Sequence, residues 1–169
     1  MLPRVLVILL LAVCGCHASH EWRQSDNPKP SLAGGVYVAV PENGSFETSV
    51  YPDSGRQTAA AVAEALRSAS VRVEQGQAVE DVAAALATAR TRSCAFMLRP
   101  VILHWEDRAT QWSGRRDSIE VRLDLFDART GLVVDSSTLS CRSRLMSFGG
   151  DHPQKLLAGP LREYAAGFH

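Results

Sequence analysis

The sequence lacks the motifs that mark most metal sites and nucleophiles. It has only four cysteines among 169 residues, and it contains no CxxC or HExxH spacing, which excludes the common zinc-site patterns. It has no GxSxG motif, and the serines of DSSTLS, at 135–140, follow the alternation of a strand and not the sharp turn that exposes a nucleophile. We therefore predict no catalytic residue, no metal site and no cofactor, so the protein is not expected to be an enzyme.

The sequence also lacks an excess of charge of either sign. It has 18 Lys and Arg residues against 18 Asp and Glu residues. Removal of Arg4 with an amino-terminal signal segment leaves 17 basic against 18 acidic residues, a formal charge of −1. So balanced a chain has no broad electrostatic attraction to nucleic acid or to anionic lipid. Nucleic acid is therefore excluded as a partner, and membrane attachment needs another physical basis.

The amino terminus carries an unbroken apolar run. Residues 1–13, MLPRVLVILLLAV, hold one positive charge and then an apolar stretch that is typical of a secretory signal peptide and too short to span a bilayer. Val13 stands three places before Cys16 and a glycine directly before it, as in a bacterial lipobox. Modification of Cys14 is disfavoured, because branched Val13 would then occupy the cleavage position, where small residues are required. We predict a signal peptide over 1–15 and fatty acylation (palmitate) of Cys16.

The residues after Cys16 predict where the lipoprotein goes and how it is attached. By resemblance to lipoprotein sorting in Gram-negative bacteria, a residue other than Asp after the lipidated cysteine, here His17, directs the product to the outer membrane. Residues 16–33 are polar and include Pro28 and Pro30, which predicts a lipidated, extended tether. We therefore expect a domain that is anchored to the outer membrane by lipid and faces the periplasm.

Residues 34–169 are predicted to form a single α+β domain. Its pattern gives the order β-α-β-α-β-β-β-α, with no internal repeat. A strand is predicted at GGVYVAVP, a helix at 54–69, a short strand at VRVE and a helix at 79–89, followed by strands at CAFMLRPVILHW, SIEVRLDLFD and LVVDSSTLSC. A terminal helix carries an apolar stripe of Leu157, Leu161, Tyr164 and Phe168.

This order predicts a two-layer sandwich with a mixed sheet and helices on one face. The helical crossovers make the early strands parallel, and the last three strands form an antiparallel meander. Cys94 opens the first strand of that meander and Cys141 closes the last, so the two lie at opposite ends of strands that run the same way. A disulfide needs Cα atoms within about 7 Å. We therefore predict two buried, reduced thiols.

The stretch HWEDRATQWSG, at 104–114, concentrates aromatic and charged residues at the end of one strand. On a strand, His104 and Glu106 point to one side and Trp105 and Asp107 to the other. Two groups are too few for a metal site, and neighbouring carboxylates that diverge do not make the pair that a glycosidase needs.

Two large aromatics near this turn either pack on the sheet or bind a partner, and the sequence leaves both interpretations open. The candidate binding surface, as predicted from this stretch, consists of Trp105, Glu106, Asp107, Arg108 and Trp112.

The chain resembles a family of proteobacterial lipoproteins classed as a domain of unknown function. The resemblance rests on HWEDRATQWSG, on YPDSG at 51–55 and on PQKLLAGPLREYAA at 153–166. It implies a lipid-anchored envelope protein with an α/β domain, and it names no activity.

Three classes of function follow, in decreasing order of preference. The first is a non-catalytic lipoprotein whose periplasmic domain binds an envelope protein or another envelope component. The second is a periplasmic carrier or sensor of a small ligand, held between sheet and helices. The third is an enzyme, against which the missing motifs argue.

Overall fold

The computed structural model describes residues 19–24, 28–106, 117–143 and 153–168. The strands are β1 (Ser19–Arg23), β2 (Val36–Val40), β3 (Ser45–Phe46), β4 (Ser49–Val50), β5 (Val73–Val79), β6 (Phe96–Glu106), β7 (Ser118–Asp127) and β8 (Val133–Arg142). The helices are α1 (Ser54–Ser68), α2 (Val82–Thr91) and α3 (Ala158–Ala166), and a 3-10 turn at Pro153–Leu157 leads into α3.

Six of the strands form one mixed sheet in the order β1-β8-β7-β6-β2-β5, and β3 with β4 forms a separate hairpin. Strand β2 is parallel to both β5 and β6. Strands β6, β7 and β8 form an antiparallel meander. The predicted α+β class, with a mixed sheet, parallel early strands and a final meander, is confirmed.

Helices α1 and α3 pack on one face of the sheet, which we call the front face. Strand residues that point to this side join Val62 and Leu66 of α1 and Leu161 and Tyr164 of α3 in the main core. The front-face strand residues of this core are Val36, Val38, Val40, Leu98, Trp105, Ile119, Val121, Leu123, Leu125, Leu139 and Cys141. The predicted apolar stripe of the terminal helix is therefore confirmed as core, since all four of its residues are buried here.

The short helix α2 covers the opposite, reverse face at the β2 end of the sheet. Its residues Ala85, Leu86 and Ala89 cluster with Tyr37 and Met97, which alternate with the front-face residues of their strands. The chain moves outward from β2 to β5 and then returns across β2 to β6. Because both crossovers of this kind are right-handed, opposite directions of travel place α1 and α2 on opposite faces. Both faces of β2 are therefore covered, and all five of its residues are buried.

The first strand lies in the segment that the sequence predicts to be a tether. Residues Ser19–Arg23 pair antiparallel with β8 over their whole length, with Ser19 opposite Arg142 and Trp22 opposite Leu139. Leu32 is also buried in the main core. The segment has the polar composition of a tether because β1 is an edge strand, which exposes most of its side chains to water. The folded part therefore extends closer to Cys16 than the predicted boundary at residue 34.

Two cysteines in the described residues, Cys94 and Cys141, are buried and unbridged, as predicted. Cys94 belongs to the cluster under α2 on the reverse face, whereas Cys141 belongs to the main core on the front face. The two sulfurs are therefore separated by the sheet itself.

We expect both thiols to resist alkylation in the native protein and to react fully once it is unfolded. Burial favours the uncharged thiol, and the thiolate is the reactive form. Peptide mapping measures this after alkylation of the native protein and of the denatured protein, the latter with and without prior reduction. The expected result is little modification of Cys94 and Cys141 in the native sample and equal modification in the two denatured samples. Modification that appears only after reduction would contradict it.

Within the residues that the structure describes, no helix has the length and apolar character needed to cross a membrane.

Candidate functional site

The first tryptophan of the predicted binding surface belongs to the core. Only 2% of Trp105 is exposed, and its side chain packs in the main core under the front-face helices. The reason is an irregularity in β6 between Ile102 and His104, where Leu103 has no partner in β7. One extra residue reverses the alternation of the strand. Trp105 therefore lies on the same side as Ile102, in the core. Its prediction as a binding residue is wrong.

The loop before α1 passes directly over Trp105. The N–H of Gly44 donates to Ser54 Oγ at 2.8 Å, and the N–H of Gly55 donates to Asn43 Oδ1 at 3.0 Å. Ser54 Oγ in turn donates to the carbonyl of Tyr51 at 2.7 Å. These bonds join the two ends of the loop, so that the YPDSG motif serves to fix the cover over the tryptophan.

Gly44 has no room for a side chain under this cover. An added Cβ would lie 2.6 Å from Trp105 Cβ and 2.9 Å from Ile102 Cγ2. We expect Gly44→Ala to lower the free energy of unfolding by about 1–3 kcal/mol, as overpacking of a core commonly does. Urea denaturation measures the difference. Gly159→Ala is the control, because an added Cβ there meets nothing within 4 Å and alanine favours a helix more than glycine does. A loss of stability from Gly159→Ala as large as that from Gly44→Ala would contradict the interpretation.

The other residues of the predicted surface either lie on the reverse side or are not described. His104 Nε2 is 3.4 Å from Glu106 Oε2, and Phe46 contacts the His104 ring edge-on, with centroids 5.2 Å apart. Asp107, Arg108 and Trp112 lie outside the described residues, so their assignment stays a prediction. In the described part of the chain, no group of three or more His, Cys, Asp or Glu side chains could hold a metal ion.

Away from the cluster under α2, which includes Phe126, the reverse face of β7 and β8 is polar, and several of its charges are paired. Arg23 of β1 contacts Glu120 at 3.2 Å, and Arg122 Nε donates to Asp124 Oδ2 at 3.0 Å. Ser136 Oγ donates to Asp124 Oδ1 at 2.7 Å. Such pairs contribute little stability at a surface. They explain the alternation of charge along β7 without a catalytic role.

A second group of polar and aromatic residues, three of them buried and two half-buried, lies between the front face and the end of α3. We call it the Lys29 cluster, and its members are Trp22, Lys29, Asp135, Tyr164 and Phe168. Lys29 Nζ lies over the Tyr164 ring, 3.8 Å from its centroid, and 4.5 Å from the Phe168 centroid. Trp22 stacks on Tyr164 with centroids 5.5 Å apart, and Phe168 meets Tyr164 edge-on at 5.0 Å. An ammonium therefore rests against two aromatic rings.

Asp135 supplies the negative charge of the Lys29 cluster. Its side chain is 2% exposed, and its Oδ2 accepts hydrogen bonds from Tyr164 OH and Ser137 Oγ, each at 3.2 Å. Its other oxygen, Oδ1, is buried and has no hydrogen-bond partner, and the same holds for Lys29 Nζ and Trp22 Nε1. Because buried polar groups in proteins nearly always have partners, three such atoms in one cluster require an explanation.

The electrostatics of the Lys29 cluster follow from burial. Burial lowers the pKa of Lys29, and the negative charge of Asp135 opposes that shift. Burial also raises the pKa of Tyr164 well above its ordinary value, with further contributions from the charge and hydrogen bond of Asp135. Burial in the site thus disfavours a negative charge on Tyr164, and it disfavours the positive charge of Lys29 more than Asp135 favours it.

The Lys29 cluster is not apparent from the sequence, because its members come from β1, a loop, β8, α3 and the residues just after α3. One signal was present, namely a tryptophan at position 22 inside a segment that otherwise has the composition of a tether. Tryptophan is mostly buried in folded proteins. Trp22 therefore indicates that this segment packs on the domain.

Comparison with solved structures shows the same fold in three bacterial proteins. PelC from Paraburkholderia phytofirmans, solved as a dodecamer, matches with a TM-score of 0.67 and 20% identity over 89% of this chain and 99% of its own. Protein XCC0632 from Xanthomonas campestris, of the family DUF330, matches with a TM-score of 0.54 and 13% identity over 82% of this chain and 85% of its own. Lipoprotein GNA1162 from Neisseria meningitidis matches with a TM-score of 0.53 and 14% identity over 78% and 96%.

Identities this low establish a common architecture and no common activity. The sequence matches no curated protein. A family model described as a domain of unknown function (DUF4823) matches residues 32–168. The match covers nearly all of the part that the structure describes, so the chain belongs to the DUF4823 family.

Proposed function

We propose that the protein is a lipoprotein of the outer membrane whose domain faces the periplasm and binds another envelope component without catalysis. The observation that carries the proposal is the position of β1 relative to the lipobox. Strand β1 begins at Ser19, three residues after Cys16. Three extended residues span at most about 11 Å. An acylated Cys16 would therefore hold the edge of the sheet directly at the membrane surface.

The same geometry orients the domain. Ser19 lies opposite Arg142, and Arg142 lies opposite Ser118 of β7, which pairs with Glu106. These four residues therefore mark one end of the sheet, the end nearest to the anchor. The candidate residues Asp107, Arg108 and Trp112 follow Glu106 in the chain, and we propose that they contribute to binding at this end.

A further copy of the chain is the envelope component with the most support as a partner. PelC, which shares the fold, was solved as a dodecamer. In the described part of the sheet, β1 and β5 are the outer strands, and the free backbone groups of edge strands readily pair with other chains. Chemical crosslinking in intact envelopes, followed by mass analysis, tests self-association. Crosslinks only to other proteins would replace the second copy with another envelope protein.

Lipidation is tested by replacing the predicted acylated residue. We expect Cys16→Ser to abolish incorporation of a fatty-acid analogue and to move the protein out of the membrane fraction. The variant would lack the acyl chains, which are the proposed basis of stable membrane anchoring. Cys14→Ser is the matched control, because the lipobox assignment leaves Cys14 in the removed peptide. Equal labelling of Cys16→Ser and the unmodified sequence, or loss of label from Cys14→Ser, would contradict the assignment.

A second candidate function is that of a carrier or sensor of a small ligand. The unpaired polar atoms of the Lys29 cluster favour it, because a ligand with donors and acceptors could satisfy them. Mass spectrometry of small molecules retained by the protein purified from envelopes distinguishes this function from binding of a macromolecule.

A further inference from the structure

We propose that Asp135, Tyr164 and Phe168 form a binding site for a primary alkylammonium group, which the chain's own Lys29 fills in this structure. The proposal deepens the second candidate function by naming a ligand class. It does not depend on lipidation of Cys16. A negative result for the alkylammonium site would therefore leave the lipid-anchor proposal intact, and a negative result for the lipid anchor would leave the alkylammonium site intact.

The aromatic part of the site has the geometry that binds a cation. Lys29 Nζ lies 3.8 Å from the centroid of Tyr164 and 4.5 Å from that of Phe168. Cations within about 6 Å of a ring centroid are attracted by the negative ring face, most strongly where water is excluded. Lys29 Nζ is buried. The two rings therefore offer a dry surface for an ammonium.

The carboxylate part of the site is incompletely used by Lys29. Asp135 Oδ2 accepts hydrogen bonds from the hydroxyls of Tyr164 and Ser137, whereas Asp135 Oδ1 is buried and accepts none. Lys29 Nζ also has no hydrogen-bond partner, although an ammonium has three donors. An unmade hydrogen bond to a buried charged group is costly. Lys29 thus makes cation–π contacts with the two rings but no hydrogen bond to Asp135 Oδ1.

A free alkylammonium is not restricted by a backbone as Lys29 is. It can shift across the Tyr164 ring toward the hydroxyl, which donates to Asp135 Oδ2, and so approach Asp135 Oδ1 as a donor. The primary ammonium is the appropriate class, because a quaternary one has no N–H to donate to the carboxylate. The side chain of lysine beyond Cα corresponds to n-butylammonium, which makes that ion the natural probe.

The segment that carries Lys29 is suited to exchange with such a ligand. Lys29 follows β1, an edge strand whose side chains are mostly exposed and which pairs only with β8 among the described strands. Trp22 of β1 stacks on Tyr164 with its Nε1 buried and unpaired. Segments with few buried contacts and unsatisfied groups open most easily. Ligand binding would therefore displace Lys29 and loosen β1, whose first residue lies next to the predicted anchor.

The test uses the mature protein in detergent and n-butylammonium chloride as the probe. In the Lys29→Ala variant we expect a saturable rise in Tm, roughly 3–6 °C at about ten times the dissociation constant. Potassium chloride and n-butanol at equal concentrations should not reproduce it. Lys29→Met, which fills the same space without charge, should show a smaller rise at the same concentration, because the methionine must be displaced before the ion binds. The double variant Lys29→Ala, Asp135→Asn should lose the rise, because the carboxylate has gone.

Two results would overturn the proposal. One is the absence of a Tm rise in Lys29→Ala, and the other is an equal rise in the double variant, which would show binding elsewhere. If Lys29→Ala does not fold, the unmodified protein decides the question. Saturating n-butylammonium should then speed hydrogen exchange at Ser19–Arg23, relative to equal potassium chloride, and unchanged exchange there would refute displacement of Lys29.

Discussion

Replacing Trp105 by alanine is expected to lower the free energy of unfolding by about 3–5 kcal/mol, the usual cost of removing a large buried aromatic ring. The ring lies in the main core, under the loop that Gly44 and Ser54 hold in place. Its neighbour Tyr51 has its ring centroid 6.5 Å away. The cover over the cavity is fixed at both ends, so the site cannot collapse to fill the missing volume.

Urea denaturation at neutral pH measures the effect, and Trp105→Phe is the graded control. Phenylalanine keeps one aromatic ring and should recover part of the loss. A change below about 1 kcal/mol for Trp105→Ala would be typical of a surface position. It would return Trp105 to the binding surface that the sequence alone predicts.

The Trp105 result shows which structural information is local in the sequence and which is not. Alternation of apolar residues along β7 and the apolar stripe of α3 report burial directly, because each residue's neighbours on the same face recur at a fixed period. The sequence therefore predicts β7 and α3 together with their buried faces. In β6 the same period fails at Leu103, where one unpaired residue exchanges the two faces. Nothing in the local pattern marks that residue as a bulge.

Contacts between distant segments account for the other differences. The position of α2 on the reverse face depends on β5 and β6 lying on either side of β2. That strand order is a property of the whole sheet and not of any one segment. The sequence does not predict β1, because an edge strand of polar residues, SHEWR, has the composition of a linker. The Lys29 cluster is hard to predict for both reasons: it joins distant segments, and two of its members come from the polar segment. Trp22 belongs to β1, and Lys29 to the loop after it.

Stability is expected to fall steeply as the pH rises from about 9 to about 12. Burial raises the pKa of Cys141 from 9.0 to about 12. Above pH 9 the unfolded chain loses the thiol proton while the folded protein retains it, so ionisation favours unfolding over the whole interval. A shift of three pKa units corresponds to about 4 kcal/mol. Tyr164, whose pKa burial also raises, adds a loss of the same sign that begins at its ordinary pKa of 10.0.

Lys29 acts in the opposite direction. Its pKa is lowered in the folded protein, so the unfolded chain keeps the proton longer, and stability rises with pH between the lowered value and 10.5. Urea unfolding at a series of pH values from 8 to about 12 measures the combined profile. Cys141→Ala should reduce the loss that begins near pH 9, to which Cys94 also contributes because burial raises its pKa, and should leave the later loss from Tyr164. Lys29→Met should make the alkaline decline steeper. Equal pH profiles for Cys141→Ala and the unmodified protein would show that the Cys141 thiol ionises alike in both states, which contradicts its burial at 2% exposure beneath the front-face helices.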